Sequence, residues 1–206
     1  MSRTLFGALL AATALSASGA AATTLTSVLN VDNQFQVYLS TDDSVQGTSF
    51  GSGTNWPTSY THSTTLVDGV TNYLHIAAQD VGGVAGLLGS FSLSDSDFSF
   101  SNGTQSLLSG DAGLRVSETG WGGYTDTTTI GTNGIAPWGF QSAHSSRALW
   151  VWSDDNLNDN NVYFSVEISF DGSPIAPPSA VPLPAGFPLL LAGLGVMGWA
   201  GRRRAK

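Results

Sequence analysis

Val162-Tyr163-Phe164-Ser165-Val166-Glu167-Ile168-Ser169-Phe170 decides the fold. Val162, Phe164, Val166, Ile168 and Phe170 fall on one side of an extended chain, and Tyr163, Ser165, Glu167 and Ser169 on the other. A period of two is the signature of a strand with one buried face. The same alternation sets Phe35, Val37 and Leu39 against Gln34, Gln36 and Tyr38, and Leu74, Ile76 and Ala78 against Tyr73, His75 and Ala77. Trp150 and Trp152 are expected to share one face of a further strand, with Leu149 and Val151 on the other. Clusters of Gly, Asn, Asp and Ser separate these runs. No 3.6-residue apolar pattern is sustained and no repeat of fixed period appears. The expectation is an all-β domain, an antiparallel β-sandwich or jelly roll, and neither a propeller nor a solenoid.

The chain has 206 residues, no cysteine, 7 Lys+Arg against 15 Asp+Glu, and a formal charge of −8. The absence of cysteine excludes a disulfide framework, Cys-ligated zinc and a thiol nucleophile. The acidity argues against nucleic acid as a partner, since phosphates must be neutralised by Lys or Arg. The charge is unevenly placed. Arg3, Arg202, Arg203, Arg204 and Lys206 lie at the ends, whereas all the acids lie between Asp32 and Asp171 with only Arg115 and Arg147 among them. The ends read as addresses and the middle as the working domain.

Residues 1–22 read as a secretory signal peptide: Arg3, an apolar stretch from Leu5 to Leu15, and small residues ending in Ala20-Ala21-Ala22. Residues 23–173 form the ectodomain. Residues 174–180 form a proline-rich, extended stalk, because six of the eight prolines lie between Pro174 and Pro188. From Leu183 to Gly201 there is no charge, and Arg202-Arg203-Arg204 follows at once. As a helix this run covers about 28 Å, close to the hydrocarbon thickness of a bilayer, with the arginines on the cytoplasmic side.

Val181-Pro182-Leu183-Pro184-Ala185, the Leu/Gly-rich span and the arginine tail, taken in order over residues 181–206, resemble the VPLPA form of the PEP-CTERM sorting signal. The resemblance implies an exosortase as partner. It also implies anchorage in the inner membrane of a Gram-negative bacterium, followed by the cell surface or an extracellular polysaccharide matrix. By this resemblance Val181, Pro182, Leu183, Pro184 and Ala185 are the recognition motif.

A second resemblance runs through Asp32-Asn33-Gln34-Phe35-Gln36-Val37-Tyr38-Leu39, the segment from Leu66 to Asp80, Gly82-Gly83-Val84-Ala85-Gly86-Leu87-Leu88-Gly89, Ala148-Leu149-Trp150-Val151-Trp152-Ser153 and Val162-Tyr163-Phe164. The order is similar to galactose-binding-like jelly-roll domains, including those appended to glycoside hydrolases. The chain departs from them after the first of these strands: it has Ser40-Thr41-Asp42-Asp43 where such domains often show an Asn-Gly turn. The resemblance implies a fold and carries over no binding residue.

Little in the sequence points to catalysis. Gly47-Thr48-Ser49-Phe50-Gly51 matches G-x-S-x-G, but no helix pattern follows, so it reads as a Gly/Ser-rich loop and not a nucleophile elbow. His62, His75 and His144 are the only histidines, and His75 reads as a satisfied strand residue. The candidate metal site is Ca²⁺ in the oxygen-rich stretch 154–161, through Asp154, Asn156, Asn158 and Asp159. The EF-hand pattern fails there, because Asp159 stands at its glycine position and Ser165 at its last ligand position. The simpler reading is a polar hairpin loop. Trp56, Trp121 and Trp138 stand among loop residues. They are either stacking surfaces for sugar rings or plugs at the ends of the sandwich. The expected function is a non-enzymatic, exported structural or adhesive protein. The alternatives are a carbohydrate-binding module, Ca²⁺-dependent or not, and a polysaccharide hydrolase.

Overall fold

The computed structural model describes residues 22–172. The stalk and the sorting signal with Arg202, Arg203 and Arg204 lie outside the described residues, as does the signal peptide apart from Ala22. Strands β1 (Thr24–Asp32), β2 (Gln34–Ser40), β3 (Thr48–Gly53), β4 (Tyr60–Thr65), β5 (Asn72–Gln79), β6 (Gly86–Leu93) and β7 (Phe98–Phe100) come first. Strands β8 (Ser106–Leu108), β9 (Leu114–Ser117), β10 (Thr125–Asp126), β11 (Thr128–Thr132), β12 (Leu149–Trp152) and β13 (Asn161–Phe170) follow. No helix occurs among the described residues. One sheet runs β11-β12-β6-β1-β4, with β8 also on β6; the other runs β10-β9-β13-β5-β2-β3, with β7 also on β13. Every pairing is antiparallel, and the two sheets pack as a sandwich.

The stretch that opened the sequence reading becomes β13 at the middle of its sheet. It pairs with β5 from Asn161 to Ile168 on one side, and with β9 and then β7 on the other. Val162, Phe164, Val166 and Ile168 are fully buried against the first sheet's Leu25, Leu29, Leu87 and Phe91, with Trp152 edge-on to Phe164. Burying each such side chain contributes about 1.5–3 kcal/mol. Ile168→Val is expected to cost about 1 kcal/mol in a denaturant titration, the loss of one buried methylene.

Three expectations change. Trp150 and Trp152 do not share a face. Trp152 joins the main core, while Trp150 stacks on Trp138 at 4.4 Å in a second cluster with Leu88 and Ala148. β12 is held to β6 only at Val151↔Leu87, and its other partner β11 shifts register between Thr129 and Gly131. The extra residue, Ile130, lies in β11, and a bulge of this kind increases the local twist of the pair. The Gly47–Gly51 segment is not a loop, for Thr48–Gly53 forms the edge strand β3 on β2. A Cβ at Gly51 would stand 2.3 Å from His62, and one at Gly53 2.4 Å from Phe35, so the glycines let aromatic rings close over that strand. The 154–161 segment is a crossing between sheets and not a hairpin, since β12 and β13 belong to different ones.

The turn Ser94–Asp97 clamps both ends of the described chain. Thr23 donates its hydroxyl to Asp95 at 2.7 Å, and the Ser94 N–H reaches the Thr24 carbonyl at 3.0 Å. The N–H groups of Asp171 and Gly172 both donate to the Asp97 carbonyl.

Candidate functional site

The outer face of the seven-stranded sheet carries the most organised chemistry. At its centre is Asp43, from the turn after β2. Its Oδ1 accepts from Ser165 Oγ at 2.5 Å and lies 3.2 Å from His75 Nε2, while its Oδ2 accepts from Arg115 Nη2 at 2.8 Å. His75 Nδ1 faces the Gln46 carbonyl at 3.3 Å. Both ring nitrogens therefore meet acceptors, and a neutral ring satisfies only one of them. Burial disfavours the Asp43 carboxylate, but the hydrogen bonds from Ser165, His75 and Arg115 outweigh it and hold the group below its ordinary range. Trp121 stacks on His75 at 4.6 Å and meets Tyr163 edge-on at 4.9 Å; Arg115 lies over Tyr124. Tyr124 donates to the Asp43 carbonyl, and burial pushes its hydroxyl up to about 12. Ser165 bonds to the Asp43 carboxylate and not to His75, so no imidazole faces its hydroxyl and the three are not arranged as a serine–histidine–aspartate relay.

Beside this platform is a cavity of about 290 Å³ lined by Gln34, Gln36, Gln79, Asn161, Tyr163 and the edge residues Ser52 and Thr54. It holds no charged side chain. Gln34 donates to Gln79 at 2.6 Å, and Tyr38 donates its hydroxyl to Gln36. Through Tyr163 the cavity adjoins the Trp121 ring.

The sequence-predicted tryptophans do not come together. Trp138 is buried on Trp150 and donates Nε1 to Asp32 at 2.8 Å. Trp56 packs on the same second cluster, and its carbonyl accepts from Asn30. None of the three lines the groove; Trp121 is related to it only through its edge-on contact with Tyr163. Nor do the candidate calcium ligands converge. Asp154 and Asp159 meet Glu118, with one oxygen from each within 4.8 Å of the others, whereas Asn158 turns to Asp155 and Asn156 to Ala85. Repulsion from Asp159 and Asp154 raises the Glu118 carboxyl above its ordinary range.

The opposite face holds a buried polar network. His144 Nε2 lies 2.9 Å from Asn30 Oδ1, and its Nδ1 lies 2.9 Å from Ser90 Oγ. Asn30 gives its amide to Trp56 and Gln141, so Oδ1 is the acceptor, and the inventory assigns the ring proton to Nε2. Burial lowers His144 to about 4. The network fastens the 133–148 segment to β1 and β6. No protein-family model, no curated protein and no solved structure matches this chain.

Proposed function

We propose that this domain is the carbohydrate-binding, adhesive part of an exported surface or matrix protein, and that it acts without catalysis. The observation that carries this reading is the uncharged groove on the seven-stranded sheet. Four side-chain amides, from Gln34, Gln36, Gln79 and Asn161, stand beside the Tyr163 ring. Amides both donate to and accept from hydroxyls, and an aromatic ring offers a surface for the apolar face of a sugar. An interior with two arginines, no lysine and fifteen acids repels polyanions, so the ligand is a neutral glycan. The jelly-roll resemblance supports the same class of ligand. Residues 1–22 export the domain, and residues 181–206 direct it to an exosortase.

A glycan array with neutral, acidic and amino sugars tests the groove. Retention of neutral glycans is expected, and retention of none would count against the reading. Tyr163→Ala is expected to weaken binding about ten-fold in calorimetry, the loss of one stacking surface. Removing residues 181–206 should move the protein between cell fractions; unchanged fractionation would sink the sorting assignment.

A further inference from the structure

At the end of the sandwich that carries Gln34 and Gln79, two carboxylates are buried with no basic side chain of the described residues paired to them. Asp32 is 8% exposed and Asp80 is 3% exposed. Their segments are bonded side by side through Asn33. Its N–H donates to the Gln79 carbonyl at 3.0 Å, its Oδ1 accepts from the Val81 N–H at 2.7 Å, and its amide reaches Asp32 Oδ1. Asp32 Oδ2 is met by Trp138. Asp80 Oδ2 accepts from the Gly82 N–H at 2.9 Å, but Asp80 Oδ1 has no hydrogen-bond partner and is shut off from solvent. Among the described residues, the ion pairs all involve Asp43, so no basic side chain answers these two acids. A buried, unpaired carboxylate oxygen costs several kcal/mol on general grounds unless something positive meets it. The crossing segment closes the same end, its Asn160 and Asn156 carbonyls accepting from the N–H groups of Asp80 and Ala85 at 2.9 Å each.

We propose that Asp32 and Asp80 together hold a hard divalent cation, Ca²⁺ by the chemistry of their oxygen donors, and that it braces the groove-bearing end of the sandwich. Carboxylate and carbonyl oxygens are the ligand types this ion takes, and extracellular modules bind it at roughly 10⁻⁴–10⁻³ M. The site is distinct from the exposed Glu118, Asp154 and Asp159 group and does not depend on the glycan reading.

Terbium provides the test, because Trp138 touches Asp32 and sensitises a lanthanide seated beside it. Trp-excited Tb³⁺ emission should saturate, be displaced by millimolar Ca²⁺, and be lost in Asp80→Asn and in Asp32→Asn. It should persist in Asp154→Asn. Ca²⁺ should also raise the melting temperature of the native chain by several degrees and leave Asp80→Asn unmoved. Emission lost in Asp154→Asn but kept in Asp80→Asn would place the ion on the exposed acids and overturn the proposal. Absence of saturable emission together with a melting temperature indifferent to Ca²⁺ and chelator would overturn it as well.

Discussion

Asp43→Ala is expected to cost about 3 kcal/mol of unfolding free energy. One carboxylate answers three donors. Two of them, His75 and Ser165, are completely buried, and the third, Arg115, is about one-third exposed. Alanine would orphan the buried pair, each at about 1–3 kcal/mol, with the total moderated because Asp43 itself is 27% exposed. For a domain of this size the melting temperature should fall by about 10 °C. Asp43→Asn keeps one acceptor and should lose less. Equilibrium urea titrations of the three proteins, with a common slope, decide it; an alanine variant as stable as the parent would show that the cluster contributes nothing. The pH dependence has a definite sign. Asp43 is depressed in the folded state, so its contribution is present above the unfolded carboxylate range and is lost as pH falls through the lower folded value.

The second large effect is also an acid sensitivity, but in a higher window. His144 titrates near 6.5 when unfolded and near 4 when folded. The unfolded chain therefore binds more protons between these values, and stability falls as pH drops through them. The full loss is on the order of 3 kcal/mol, undiscounted because the ring is buried within the Asn30 and Ser90 network. His144→Gln should flatten that slope while lowering the neutral-pH plateau, since glutamine cannot reproduce both ring contacts. Stability measured across the window in both proteins checks this. A slope unchanged by the substitution would place the titrating group elsewhere.

The strands were legible because their chemistry is local. Alternation in β2, β5 and β13 names the core-facing side chains directly, and those residues are buried as the pattern requires, apart from Leu39 and Phe170, which are half-buried against the same core. The platform was not legible, because residues 43, 75, 115, 121 and 165 meet only after three strands, a turn and a loop have been assembled. Alternation sends His75 and Ser165 outward to solvent; the fold sends them outward beneath Trp121 and Asp43, where both are buried. A signal was present nonetheless: Tyr38, Tyr73, His75 and Tyr163 all stand at outward positions, an unusual run of rings for a bare face. Trp138 failed as a surface candidate for a related reason. Proline and glycine around it marked a loop correctly, but that loop folds back onto Trp150. Asp32 and Asp80 stand at strand ends, where sequence cannot separate a turn-forming acid from a buried one.

The clamp at Ser94–Asp97 has a consequence for presentation. It gathers the start of β1 and the end of β13 at one corner. Gln34, Gln79 and Asn161 lie at the far end of strands that run the length of the molecule, about 30 Å away at strand rise. Tethering through either described end therefore aims the groove away from the tether. A reporter fused at residue 172 should leave the groove free to engage a polymer, and a pull on both ends would load the clamp before it reached the binding end.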